Sequence, residues 1–188
     1  GCIWGLIQGI TLVVTRTGGI LQNRAIYYFL NPIVNALRSL PFIILLIAVI
    51  PLTKLLVGTS IGTWAAIVPL TIYVGPYLGR LIETSLLEVD EGIIESAQAM
   101  GATPWQIIFK FIIPEARSSL ILNLTTGTIT LIGATAMAGA VGAGGIGDLA
   151  ISYGYQRFDT SVVILTVIVL LLLVQLVQML GDWLAKLR

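Results

Sequence analysis

In 188 residues, 57% are hydrophobic and only 10% charged, with ten Lys and Arg against nine Asp and Glu, no His and one Cys. Soluble domains carry about 25% charged residues, so the composition excludes an ordinary soluble domain; with apolar runs of roughly 20 residues it indicates an all-α polytopic membrane protein. A net charge of +1 gives no footprint for nucleic acid, and Cys2 alone makes neither an internal disulfide nor a Cys-based metal site. With no His and no carboxylate cluster inside the apolar runs, no metal-ligand set is expected.

The chain reads as one transmembrane domain, without a linker or internal repeat. Residues 1–15 are apolar but short of the roughly 20 that a span needs. They read as the second half of a first span, ending at Arg16 and Thr17-Gly18-Gly19. The start has no basic region ahead of a cleavage site, so it is not a signal peptide, and a true N-terminus further upstream is expected. Residues 20–37 are mixed and suit the interface. A second span covers 40–57, with Pro41 and Pro51 near its ends and Lys54 on its far side. The third, 61–82, carries Pro69, Gly75, Pro76 and Gly79, which predict a kink and, through Gly75-x-x-x-Gly79, close helix approach.

Between the third and fourth spans lies a polar stretch, 88–114, holding four acidic residues, Glu88, Asp90, Glu91 and Glu95. Its punctuation predicts helix, tight turn, helix. Asp90 caps a first helix with Glu91, Glu95 and Gln98 on one face and Ile93, Ala97 and Met100 on the other. Gly101 supplies a left-handed stop. Thr103, Pro104 at the first helical position and Gln106 form a Thr-x-x-Gln capping box, and Pro114 marks the next helix start. An apolar stripe on a polar loop outside the bilayer reads as a docking knob; a plain solvated loop is the bland alternative.

The fourth span, 118–141, is dense in Thr, Gly and Ala, which suits burial among helices. Residues 142–159 read as a flexible Gly-rich loop, and 160–180 is a fifth span of Val, Ile and Leu. Alternate loops at 16–38, 80–117 and 186–188 hold eight of the ten basic residues, so the positive-inside rule puts the 88–114 loop and the C-terminus in the cytoplasm.

Gly142-Ala-Gly144-Gly-Ile-Gly147 matches G-x-G-x-x-G but follows a span and lacks the later acid, so it reads as a turn on the outer face. No P-loop occurs; any driving ATP belongs to another polypeptide. The centres of the four complete spans carry no ionisable residue, which argues against a proton-coupled carrier. Tyr73, Asn123, Thr126, Thr130 and Met137 are candidate pathway groups, with helix packing the simpler reading for each. Arg38 and Arg80 read as positive-inside anchors. Trp64, Trp105 and Trp183 suit an interfacial belt, and Trp105 could equally pack on a partner.

Glu95-Ser-Ala97, Gly101 after three residues, and Phe111-Ile-Ile-Pro114 after nine more resemble the EAA signature of ABC importer permeases, with Ser96 in place of the first Ala. Arg38 to Leu45, Ala66 to Thr71, Ala99 to Pro104, Ala136 to Gly147 and Tyr153-Gly-Tyr155 are similar to the methionine-importer branch of that family. The resemblance implies a five-span permease fold, its first span incomplete here, in the bacterial inner (cytoplasmic) membrane. It implies a homodimer, two copies of a cytoplasmic ATPase that binds ATP and Mg, and an extracytoplasmic solute-binding protein or lipoprotein. Under it Glu95, Ala97, Gly101, Ala102, Thr103, Pro104 and Trp105 couple to the ATPase, and Met137 gates the pathway. Another small amino acid or sulfur compound as substrate, a carrier or channel without ATP coupling, and a membrane scaffold or sensor remain as alternatives.

Overall fold

The computed structural model describes residues 1–187, which are mostly helical with no strand among them; Arg188, counted above among the inner basic residues, lies outside the described residues. Helix α1 (Cys2–Thr15) leads through a turn to α2 (Arg24–Ser39), α3 (Phe42–Ala48), α4 (Ile50–Val57) and the long α5 (Thr63–Leu87). The polar loop carries α6 (Glu91–Ala99), α7 (Pro104–Gln106) and α8 (Ile113–Glu115), followed by α9 (Arg117–Ala138), α10 (Gly145–Leu149) and α11 (Thr160–Lys186). By length and composition α5, α9 with its terminal turn, and α11 can each cross a membrane; α2 and α3 qualify only as a pair.

α5 is the hub, packed against α1, α2, α3, α4 and α9. Its 25 residues run unbroken through Pro69 and Pro76. At 1.5 Å per residue that is about 37 Å, longer than a hydrocarbon core of about 30 Å. Lipid tails are as apolar as Leu, so helices in a bilayer associate by close packing rather than by hydrophobic burial, and here the crossings fall on glycines. A Cβ on Gly5 would stand 2.9 Å from the Gly75 carbonyl oxygen, and one on Gly9 would stand 2.7 Å from that of Gly79. The Gly75/Gly79 pair is thus half of a reciprocal seam with α1. Gly127 of α9 sits under Leu78 of α5, and Gly181 of α11 sits under Thr125 of α9.

The hydroxyls of α9 need no partner from outside. Thr125, Thr126, Thr128 and Thr130 each donate to the carbonyl four residues back, at 2.7, 3.1, 2.8 and 3.0 Å. A Thr-rich helix can therefore stand in an apolar medium with its polar atoms satisfied.

Two segments depart from the sequence reading. The expected second span, 40–57, is two short helices that part at Val49. Pro51 offers no N–H and its ring crowds the carbonyl of Ile47, so the helix restarts there. α2 and α3 meet at 107° because Leu40, ahead of Pro41, is held in an extended conformation (φ −78°, ψ 128°).

The expected loop at 142–159 is largely helical: α10 passes into a wide-turned segment, Ala150–Tyr155, before α11 begins under an Asp159 cap. Its reason is tertiary. Gly139 lies against the backbone of Gly147 and Asp148, and Gly147 against the backbone of Ala136, so α10 folds back onto the end of α9 at backbone contact.

The seam yields a paired prediction. Gly9→Ala should destabilise the protein by about 1–3 kcal/mol, as overpacking does, whereas Gly133→Ala should be neutral or stabilising by up to about 1 kcal/mol, because its added methyl meets nothing within 4 Å and Ala is the better helix former. Thermal unfolding of both variants in detergent checks the contrast.

Candidate functional site

The polar loop is built by local chemistry. The Asp90 carboxylate accepts from the Gly92 N–H at 2.7 Å, capping α6. At the other end Gly101 has φ +77°, its N–H bonds the Gln98 carbonyl at 2.9 Å, and the Ala102 N–H reaches back to the Ala97 carbonyl at 3.0 Å. That pair of bonds is a Schellman stop. The Thr103 side chain accepts from the Gln106 N–H at 3.4 Å while the Thr103 N–H donates to Gln106 Oε1 at 2.8 Å, closing the capping box.

Beyond Gln106 the expected second helix differs in one respect. Residues Ile107–Ile112 are wound with wide, π-type turns that run on into α8, whose first turn holds Pro114 as expected. Wide winding relieves the clash between the Pro114 ring and the carbonyl four residues back. It also brings Ile107, Ile108 and Ile112 all into burial.

Ile107 and Ile112 join Val13, Ile82, Leu86, Val89, Ala97 and Ala116 in one apolar core beneath the loop. The loop is therefore clamped to α1 and α5. This corrects the apolar stripe expected on α6: Ile93 and Ala97 face this core, with Ala97 at 0% exposure, and Met100 alone of that set turns outward at 70%. The outward apolar surface consists instead of Met100, Trp105 (65% exposed) and Phe109 (54%). The Trp105 and Phe109 rings stack at 5.9 Å with 13° between their planes. Of the other residues read as coupling groups, Glu95, Gly101 and Thr103 are exposed, and Ala102 and Pro104 are half-buried.

The candidate pathway groups separate. Asn123 donates to Ser85 Oγ at 2.7 Å and so belongs to the α5–α9 contact. Tyr73 packs edge-on against Phe42 and stacks on Tyr77 at 6.3 Å. Thr130 reaches the Tyr77 hydroxyl at 3.2 Å. Thr126, Thr130, Gly133 and Met137 recur at i, i+4, i+7 and i+11, one face of α9 that stays uncovered or half-covered in the single chain.

One polar group escaped the sequence reading. Glu83 is buried, and its Oε2 accepts from Arg80 at 2.8 Å; the same Arg80 nitrogen donates to Asn31 of α2 at 3.2 Å. Arg80 is thus a link between α5 and α2 as well as a basic residue at a helix end. The i, i+3 spacing of Arg80 and Glu83 was the available signal.

Removing one member of a buried pair strands the other, at a cost of about 3–5 kcal/mol, while removing both is often neutral. Arg80 is one-third exposed, so the low end applies. Arg80→Leu should lower the unfolding temperature in detergent, and Arg80→Leu with Glu83→Leu should recover most of the loss.

Against known proteins, the family model for the binding-protein-dependent transport system inner membrane component matches residues 4–187. The chain is 48% identical over 186 residues to the Probable D-methionine transport system permease protein MetI of Vibrio cholerae, covering 99% of this chain and 83% of that one. It is 44% identical over 171 residues to the Methionine import system permease protein MetP of Bacillus subtilis, covering 91% and 77%. Among solved structures, an inward-facing MetNI methionine ABC transporter superposes with a TM-score of 0.94 at 47% identity, covering 98% of this chain and 85% of that one.

Proposed function

From its membership of the binding-protein-dependent transport inner-membrane component family, a family of ABC transporter permeases, we propose that the chain is the permease subunit of an ATP-driven methionine importer. The substrate class comes from relatives named for methionine or D-methionine transport. Two copies form the pathway on their shared axis, because a C2 interface uses the same patch twice. The uncovered α9 face of Thr126, Thr130, Gly133 and Met137, with Tyr73 and Tyr77 beside it, is the surface each copy contributes. Met137, exposed near the end of α9, is the gate.

Coupling rests on one observation, the two-sided loop. Its inner side is locked to α1 and α5, and its outer side presents Met100, Trp105 and Phe109. An amphipathic element of this kind fits an apolar groove on a partner. The partner is a cytoplasmic ATPase, present twice, holding ATP and Mg; Glu95, Gly101, Ala102, Thr103, Pro104 and Trp105 line the contact, and Ala97 supports it from within. The loop and C-terminus lie on the cytoplasmic side, where most basic residues fall. ATP binding closes the ATPase pair, the loops follow, and the permease pair shifts between inward-open and outward-open states. An extracytoplasmic binding protein delivers the substrate.

The decisive experiment is methionine uptake into proteoliposomes holding this chain with its ATPase and binding protein. Uptake requiring ATP and both partners is expected; ATP hydrolysis without methionine uptake would discard the substrate, and no association with the ATPase would discard the coupling role. Gly101→Asp should abolish uptake while leaving membrane insertion intact. It strains a φ +77° position and adds charge beside the apolar docking surface. Wild-type uptake by that variant refutes the docking claim.

A further inference from the structure

Between the Arg16–Ile20 turn and α6 lies a cleft of about 280 Å³ whose lining shares Glu95 alone with the residues of the ATPase contact proposed above. Its floor is apolar, formed by Val13, Leu86 and Ile112, and its polar lining is Arg16, Glu91, Glu95 and Gln98. The turn side is fixed: the Gly19 N–H bonds the Arg16 carbonyl at 2.9 Å, and the Leu21 and Asn23 N–H groups bond Val14 and Thr15 carbonyls at 3.0 Å. The α6 side is fixed by its caps. This is a standing cavity between two pinned walls.

Its charges are poised but uncommitted. Arg16 and Glu91 approach only to 3.8 Å, well beyond the roughly 2.7–2.9 Å of a charge-assisted hydrogen bond. Glu95 takes part in no ion pair among the described residues. One guanidinium beside two carboxylates over an apolar floor suits a ligand carrying an anionic group, a primary ammonium and an apolar tail.

We propose that the cleft holds the headgroup of an aminophospholipid such as phosphatidylethanolamine, phosphate on Arg16 and ammonium between Glu91 and Glu95. Location selects the lipid over a soluble zwitterion. α1 ends at Thr15 and α5 at Leu87, so the cleft stands where two apolar helices end. Leu87, exposed on its rim, offers an apolar side chain against which the start of an acyl chain can lie. The volume is below the roughly 300–1,000 Å³ of pockets that take whole drug-sized ligands, and a headgroup needs less. Held there, the lipid bridges the inner end of α1 to α6 and steadies the loop.

The assignment is independent of the transport reading, because its test is binding. The full chain, in micelles with equimolar phosphatidylethanolamine and phosphatidylcholine, is examined by native mass spectrometry. A quaternary choline cannot donate N–H bonds to carboxylates, so the wild type should retain the ethanolamine lipid by roughly tenfold, the worth of one charge-assisted hydrogen bond. Glu91→Gln, at a well-exposed position that should fold normally, and Arg16→Gln should each cut that preference severalfold, while Arg16→Lys keeps most of it. Equal retention of the two lipids by the wild type, or a preference untouched by either Gln variant, overturns the site. Displacement of bound lipid by free phosphoethanolamine overturns the lipid as its natural occupant.

Discussion

Everything in this structure depends on how near α1 can come to α5. In a bilayer the contact between two helices is van der Waals packing, and packing falls steeply with distance. Gly5 and Gly9 on one helix, and Gly75 and Gly79 on the other, remove the atoms that would hold the axes apart. The same device recurs at Gly127 against Leu78, Gly181 against Thr125 and Gly139 against Gly147. A helical glycine costs about 1 kcal/mol relative to Ala. The chain accepts that cost at each crossing because the close contact is the main attraction available.

Where the helices leave the apolar medium the physics changes. Beneath the polar loop Ile107, Ile112, Val89 and Ala97 are buried as in a soluble core, and each large side chain is worth about 1.5–3 kcal/mol against exposure to water. The loop is thus held by ordinary hydrophobic burial on one side, while Met100, Trp105 and Phe109 stay uncovered on the other. A chain that buries isoleucines so thoroughly has no folding reason to leave a stacked Trp–Phe pair outside. In the proposed transporter that asymmetry suits the outer surface to docking.

How much of this could be read in advance follows the range of the forces. The Asp90 cap, the Gly101 stop and the Thr103–Gln106 box were legible because each is set within four residues. The inward turn of Ile93 and Ala97 was not, since periodicity defines a face without saying what it packs against. Met100 left that face because the Schellman turn begins there and helical spacing no longer applies. Residues 142–159 looked like a loop for their glycines, yet Gly147 is required for backbone contact with α9. Glu83 was overlooked because hydropathy closed the span at 82, while the helix runs to Leu87.

These contacts also limit how the subunit can move. A force on the loop acts through the core onto α1 and α5 together, since Val13 and Ile82 both belong to it. α1 cannot slide on α5 without driving backbone into backbone at Gly5 and Gly9, and glycine contacts pass the load on to α9 and α11. The segments outside this chain of close contacts are α2, α3 and α4, bent by 107° at Leu40–Pro41 and broken again at Val49. Packed helix interfaces shift between discrete arrangements more readily than they deform continuously. In the proposed transporter the loop, α1, α5, α9 and α11 therefore travel as one body, and the proline-jointed α2–α4 segment takes up the difference between states.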